Sequence, residues 1–339
     1  MSDGTEHMGK FEKKNGELYG GVDIGGTKIY SIITKADGKI IARAKKKTKA
    51  DRGFEAVMER VGECLKEACE EAVISLKDLD AVGVGAPSAI SADGKAVNAP
   101  NMGWKDAPIT KELEKVLDVK VATENDANLG TLGEYVYGVG KGSKTLVGFL
   151  VGTGLGGGIV CRGEIIRGEN RLAAELGHII VQANGRKCGC GHHGCLEAYA
   201  SKAGMGKRFI EEIKKNGRKS MLTDEPDIDL ANVPSSVLLK AYEAGDKVVT
   251  ETLEEAMWYL GVGVANMITV LGPDMVVLGG GVMEAMGKHL IKLVKESARA
   301  LAFPPPSYDD TKIVLSELGD DAVALGAVAY ARGKGVTRE

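Results

Sequence analysis

The chain has no excess of positive charge, no cysteine framework and no P-loop, and each absence removes a class of protein. The longest uncharged stretch through its richest glycine cluster, residues 145–161, holds six glycines. It falls short of the ~18 residues that a membrane span needs. Residues 1–18 are polar and charged and lack the apolar core of a secretory leader, so the expected location is cytoplasmic, with no membrane partner. Lys plus Arg number 44 against 47 Asp plus Glu, a net charge of −3, which leaves no basic field to hold nucleic acid. Six cysteines in 339 residues are too few for a disulfide scaffold. No G-x-x-x-x-G-K-S/T run occurs, so a P-loop is not available.

What is present reads as a folded α/β protein. Apolar residues at 44% and charged residues at 27% are ordinary globular composition, and 339 residues imply two domains or one large one. Glycine, at 47 residues, is nearly double its average usage of ~7% and follows no collagen-like period, so it must serve particular turns. Residues 1–17 read as a flexible tail. From Leu18 an apolar strand ends at Asp23, a glycine turn leads to a second strand, and the Asp37-Gly38 pair signals a hairpin to a third. Phe54, Val57, Val61, Leu65 and Ala68 recur at helical spacing, and residues 81–86 form a short buried strand. A related order returns later. A strand over 144–150 precedes a glycine turn over 152–158 and a strand over 159–166 interrupted by an Arg162-Gly163 turn, then come helices near 196–214 and 249–271. A strand over 275–278, a turn at Gly279-Gly280-Gly281, a strand over 312–316 and a helix over 322–331 complete the chain. Strands alternating with helices at this length predict two lobes with a cleft.

The glycine clusters carry the first functional signal. Residues 152–157 match G-x-G-x-x-G, but they run into β-branched Ile159 and Val160 where the dinucleotide fingerprint requires a helix, which argues against NAD. Two strand–glycine–strand turns remain, one at 23–28 and one at 152–158, where backbone N–H groups can approach phosphate oxygens and Thr27 and Thr153 add hydroxyls. With the third cluster at 279–281 they favour a nucleotide.

The second signal is metal. Cys188, Cys190 and Cys195 lie within eight residues and are interleaved with Gly189, Gly191 and Gly194, and His178 stands ten residues upstream. Three thiolates and an imidazole are the ligand set of a closed structural zinc site, which would fold the loop and leave no open position for chemistry. On spacing alone His192 and His193 rival His178. Close by are two acids, Glu175 and Glu197, and upstream is Glu124-Asn125-Asp126-Ala127-Asn128; carboxylates and amides of this kind suit vicinal sugar hydroxyls.

These residues carry a resemblance. Asp23-Ile24-Gly25-Gly26-Thr27-Lys28, residues 150–158 and residues 277–282 resemble the phosphate-1, phosphate-2 and adenosine motifs of the actin, hexokinase and heat-shock-70 ATPase superfamily. Within it the chain is similar, over about residues 18–331, to the ROK family (repressors, open reading frames and kinases), and most of all to bacterial-type glucokinases. The resemblance implies a two-lobed actin-like ATPase (ribonuclease H-like) fold with an interlobe cleft. Residues 18–122 with 320–339 would make a small N-terminal lobe, and residues 123–319 a large lobe with the zinc loop and a homodimer surface. It further implies that Asp23 lies near magnesium, that Gly25, Gly26, Thr27, Lys28, Gly152, Thr153 and Gly154 hold the phosphates of ATP, and that Gly279, Gly280 and Gly281 back the adenosine. The family pattern H-I-x5-G-x2-C-x-C-G-x2-G-C-x-E is matched from His178 to Glu197 and selects His178 as the zinc ligand beside Cys188, Cys190 and Cys195. The E-N-D-A-N motif makes Asp126 the catalytic base, and Asn101, Asn125, Glu175, His178 and Glu197 would bind sugar. Ser88 stands where many relatives have glycine, which bears on the choice of sugar.

The activity this implies is ATP-dependent phosphorylation of a hexose at the 6-hydroxyl, with glucose first and N-acetylmannosamine, N-acetylglucosamine or a broad hexose range as alternatives. Polyphosphate is an open alternative donor. A sugar-sensing regulator is the remote alternative, disfavoured because only 17 residues precede the first strand where a DNA-binding helix-turn-helix would stand.

Overall fold

The structure, a computed structural model, describes residues 17–225 and 227–335. The tail expected over residues 1–17 lies outside the described residues apart from Glu17, as do residues 336–339 of the expected small lobe. Strands β1 (Leu18–Ile24), β2 (Lys28–Lys35) and β3 (Ile40–Lys47) form an antiparallel meander. They are followed by α1 (Phe54–Glu71), β4 (Ala81–Ala86), a hairpin of β5 (Ala96–Ala99) and β6 (Trp104–Ala107), α2 (Ile109–Leu117), β7 (Val121–Asn125) and α3 (Asp126–Tyr137). A second meander follows, β8 (Thr145–Val151), β9 (Leu155–Cys161) and β10 (Glu164–Ile165). Then come α4 (Glu197–Ala200), α5 (Lys202–Ile210), α6 (Ser235–Glu243), α7 (Lys247–Leu271), β11 (Met275–Gly279), α8 (Gly281–Leu301), α9 (Pro306–Asp309), β12 (Lys312–Leu315) and α10 (Ala322–Ala331).

The two large sheets share one plan. The first runs β3-β2-β1-β4-β7 and the second β10-β9-β8-β11-β12. In each, the antiparallel meander is extended by two parallel strands, and such strands need crossover connections, here helical. Each sheet has its own core. Val22, Val57, Leu65, Val84 and Leu113 belong to the first, and Phe149, Leu253, Leu260, Val276 and Leu290 to the second. On α1 the buried residues Val57, Val61, Leu65 and Ala68 keep the spacing read from the sequence. Among the described residues no helix is long and apolar enough to cross a membrane.

Between the sheets lie α10 and α3. Helix α10 is apolar on nearly every face, as a helix buried along most of its length must be. It packs on β1 and β4 and, on its other side, on α3, which in turn packs on β8 and β9. Glycine permits the close approach: a Cβ at Gly21 would collide with the Ala324 carbonyl, one at Gly83 with that of Ala327, and one at Gly326 with that of Leu129. The order is therefore first sheet, α10, α3, second sheet, and the cleft opens where α3 begins.

Four local readings change. The turn expected over 152–158 is only three residues long, because β9 begins at Leu155 and contains Gly156, Gly157 and Gly158. Those glycines serve packing, since a Cβ at Gly156 would sit 2.8 Å from the Ala127 Cβ and one at Gly157 2.6 Å from Leu176. The cluster at 279–281 joins β11 to α8, a helix that was not foreseen. The helix expected over 196–214 is broken at Ser201, whose side chain accepts from the Gly204 N–H to start α5, and it ends in a π turn over Glu211–Lys215. The β5–β6 hairpin was not foreseen; it pairs Ala96 with Ala107 on the rim of the cleft.

Candidate active site

The cleft between the lobes encloses about 670 Å³. Its floor is the junction of β7 and α3. Asn125 has extended backbone, and its side-chain oxygen accepts from the Asn128 N–H at 3.0 Å, which caps α3. Asp126 is then the first helical residue, and its Oδ1 accepts from the Ala127 N–H at 2.8 Å. Burial pushes the Asp126 carboxyl up to about 6; the Ala127 N–H opposes the shift and the neighbouring Glu175 carboxylate adds to it. A carboxylate titrating there is ionised at neutral pH and still basic enough to take a proton.

One wall is built from glycine turns. Asp23 is the last residue but one of β1, and the Gly25 N–H donates to the Lys28 carbonyl at 2.9 Å to close the turn. Thr48 braces it, with Oγ1 donating to the Gly25 carbonyl at 2.6 Å and its N–H to the Thr27 carbonyl at 2.9 Å. Asp23, Gly25 and Lys28 line the cleft, whereas Gly26 and Thr27 sit on the exposed tip outside its lining. Burial, and then the charge of Asp126, raise the Asp23 carboxyl to about 7; Lys28 pulls it down and Asp320 pushes it up. A buried acid with so little compensation suits a hard divalent cation. Lys28 Nζ pairs with Asp320 at 3.0 Å, and Asp320 also pairs with Lys45 at 3.2 Å.

In the second turn the Gly152 N–H donates to the Gly154 carbonyl at 3.0 Å, and Gly152, Thr153 and Gly154 all line the cleft. Lys202 and Ala203, at the start of α5, donate their N–H groups to the carbonyls of Gly152 and Thr153 at 3.0 and 3.1 Å. Of the third cluster only Gly280 lines the cleft; its φ of 83° and the 2.7 Å that would separate a Cβ from the Val151 backbone both require glycine.

The opposite wall gathers Ser88, Asn101, Asn125, Glu175, His178 and Glu197, which all line the same cavity with Asp126. The Ser88 hydroxyl is committed to the rim: it donates to the carbonyls of Ala89 and Asn98 at 3.0 and 3.1 Å and accepts from the Asn98 N–H at 3.2 Å. Burial raises the Glu175 carboxyl, His178 lowers it and Glu197 raises it further. Glu197 joins both walls, since Oε2 accepts from the Leu155 N–H at 3.1 Å and Oε1 from the Cys188 thiol at 3.4 Å.

Behind this wall the ligand atoms of His178, Cys188, Cys190 and Cys195 lie within 4.8 Å of one another. Cys188 Sγ is 3.8 Å from His178 Nδ1, and Cys190 Sγ is 3.6 Å from that of Cys195. His192 Nδ1 approaches Cys190 Sγ at 3.6 Å, and His193 Nδ1 faces the Gly185 carbonyl at 3.1 Å. Three thiols and an imidazole at this spacing fit a tetrahedral metal.

Motif reading missed Asn98 on the rim, Asp320 beside Lys28, and the partners of Glu124. Glu124 stands in the E-N-D-A-N run but is buried away from the cleft lining and pairs with Arg167 and Arg171. A buried glutamate always needs a partner, yet the sequence does not say which arginine supplies it.

Comparison with known proteins places this geometry. The chain matches the ROK family model over residues 19–334. It is 33% identical to a glucokinase of Halalkalibacterium halodurans over 91% of this chain and 93% of the relative. It is 34% identical to a glucokinase of Thermotoga maritima over 91% and 95%. A crystal structure of a ROK family glucokinase from Streptomyces griseus, in complex with glucose and AMPPNP, superposes with a TM-score of 0.81 at 29% identity, covering 93% of this chain and 99% of that one. The fold is the two-lobed actin-like ATPase fold. On its motifs, its site and these likenesses, the chain belongs to the ROK family.

Proposed function

We propose that the protein is a sugar kinase that transfers the terminal phosphoryl group of ATP to the 6-hydroxyl of a hexose, glucose first. The observation that carries this reading is Asp126: a recessed carboxylate, raised to about 6, stands at the helix start where the glycine turns and the Asn125, Glu175, His178 and Glu197 wall meet. The glucokinase relatives and the neighbour holding glucose and AMPPNP support it. Phosphoryl transfer asks for alignment and charge neutralisation. Asp126 takes the proton of the 6-hydroxyl as that oxygen bonds to the terminal phosphorus and the bond to the ADP oxygen breaks. Backbone N–H groups at 153 and 154 and the Lys28 ammonium cradle the phosphates, while the N–H groups of Gly25 and Gly152 close their own turns. Gly280, at the start of α8, lies beside the adenosine. Asn101, Asn125, Glu175, His178 and Glu197 hold sugar hydroxyls, and Ser88 shapes the rim through its backbone more than its committed hydroxyl.

Two metals belong to the reading. Asp23 would hold a magnesium ion, which supplies neutralisation of phosphate charge. His178, Cys188, Cys190 and Cys195 would hold a zinc ion that orders residues 178–195, so that His178 and Glu197 are positioned for sugar; elemental analysis at one zinc per chain tests this. A cytoplasmic homodimer formed through the second lobe is part of the same proposal. Trp258 and Phe303, exposed on that lobe, offer apolar surface for it, and light scattering reads the mass.

The test is ADP release with ATP and magnesium across glucose, mannose, N-acetylmannosamine and N-acetylglucosamine, repeated with polyphosphate. Turnover with glucose at the highest kcat/KM is the expected result. Preference for an N-acetylated sugar moves the substrate and keeps the reaction. Sugar-induced thermal stabilisation without ADP release from any donor makes the protein a sensor.

A further inference from the structure

Behind Asn125 and Asp126 one buried carboxylate gathers separate parts of the chain. Glu124 is 2% exposed. Its Oε1 accepts from the Asn125 N–H at 2.9 Å and from Asn128 Nδ2 at 3.3 Å, and its Oε2 accepts from Arg167 Nε at 2.6 Å and Arg171 Nη2 at 3.3 Å. A carboxylate so enclosed is tolerated only when both oxygens are satisfied, as they are here. Arg171 reaches further. Its Nε donates to the Ile90 carbonyl at 3.1 Å, two residues beyond Ser88 on the rim, and its Nη2 lies 3.4 Å from the Tyr330 hydroxyl at the end of α10.

The link from Arg171 to the cleft is short. Glu175 follows four residues later, and both Arg171 (φ 59°) and Ala174 (φ 66°) occupy the left-handed region that side-chain-bearing residues avoid. Such backbone persists where the surroundings hold it; the Arg171 N–H to the Gly168 carbonyl at 3.2 Å and the Ala173 N–H to the Arg167 carbonyl at 2.9 Å shape the segment locally, and the Arg171 guanidinium bonds tie it to the rest of the fold.

We infer that Arg171 is a positioning residue for the sugar. Acting through Glu124 and the Ile90 carbonyl, it sets the separation between the wall bearing Glu175 and the walls bearing Ser88 and Asn125, and so determines which hexose ring fits. A planar guanidinium suits this task because its donors diverge to several acceptors at once, which the single point charge of a lysine cannot match. The nucleotide side, Lys28 and residues 152–154, makes no bond to this network. The inference rests on the sugar-kinase reading.

The experiment measures sugar affinity directly, by calorimetry on the zinc-loaded protein without ATP, together with KM for sugar, KM for ATP and kcat. The probe is glucose, or, if glucose is silent, the hexose that most raises the melting temperature. Arg171→Ala is expected to weaken sugar binding and raise the sugar KM at least tenfold, with kcat within threefold and the ATP KM unchanged. Arg171→Lys should recover part of the loss, and Tyr330→Phe, which removes only the longest contact, should stay within twofold of wild type. A role in folding alone would lower kcat with the active fraction and leave the sugar KM unmoved, and that result overturns the inference. So does a sugar affinity within twofold of wild type, or an equal rise in both KM values. If Arg171→Ala does not fold, Arg171→Lys decides on the same criteria. A wild type that binds sugar without releasing ADP would sink the kinase reading, while calorimetry would still judge Arg171.

Discussion

The two lobes repeat one sheet order and equip it differently. Each presents the turn after its first strand to the cleft. The turn of the first lobe carries charge, Asp23 and Lys28, and is braced by exposed pairs from Asp320 to Lys28 and Lys45. The turn of the second lobe, Gly152-Thr153-Gly154, carries none and is held by backbone donors of α5 and, through Leu155, by Glu197 beside the cysteine loop. The lesson is a division of labour within a repeated topology. On the kinase reading, one copy would supply charge for phosphates, and the other would link a phosphate turn to the sugar wall. Asp126 heads the helix packed between them and on that reading would serve both.

The sharpest way to break this comparison is Asp23→Asn. Loss of the carboxylate that the first turn presents to the cleft should lower kcat/KM by about 10²–10³-fold, the scale of removing one electrostatic group at a transition state. Sugar affinity, measured by calorimetry, should not change; a parallel loss would show that the lobes do not divide the work. Next is the cost of keeping Asp126 buried. Its carboxyl, raised from 3.8 to about 6, holds its proton to higher pH in the folded state than in the unfolded chain, so the charged form is destabilising above that range. Two pK units correspond to about 3 kcal/mol. Asp126→Asn should therefore melt above wild type near pH 8, with the gap closing towards pH 4, as thermal scans would record. In the same sense, wild-type kcat/KM should rise as pH increases through about 6, where the base ionises. Gly154→Ala probes the other turn. Its Cβ would sit 2.7 Å from Glu197 Oε2 and displace the carboxylate from the Leu155 N–H. A lost charged hydrogen bond predicts about a tenfold rise in sugar KM, larger than the change in ATP KM. The smallest effect is expected for Lys45→Ala, an exposed pair worth under about 1 kcal/mol, with kcat/KM within twofold of wild type.

Much of this was legible in the sequence, for identifiable reasons. Apolar periodicity announced α1, whereas the helix that starts at Asp126 under an Asn125 cap was not foreseen. Cysteines interleaved with glycines announced their own convergence. What escaped was set by contacts between distant segments. Gly156 to Gly158 resemble a loop in sequence and belong to a strand, because their missing side chains make room for Ala127, Leu176 and Thr131. Ser88 looked like a rim hydroxyl free for sugar, and the unforeseen β5 strand engages it instead. Glu124 looked like one more cleft acid, and its arginines lie more than forty residues away.

The measurement closest to the central claim compares Asp126→Asn with wild type in turnover and in sugar binding. The account predicts kcat lower by about 10²–10⁴-fold, the usual worth of a general base, with sugar affinity within a fewfold. Turnover retained within tenfold, at any pH between 6 and 8, would contradict Asp126 as the base and the mechanism built on it.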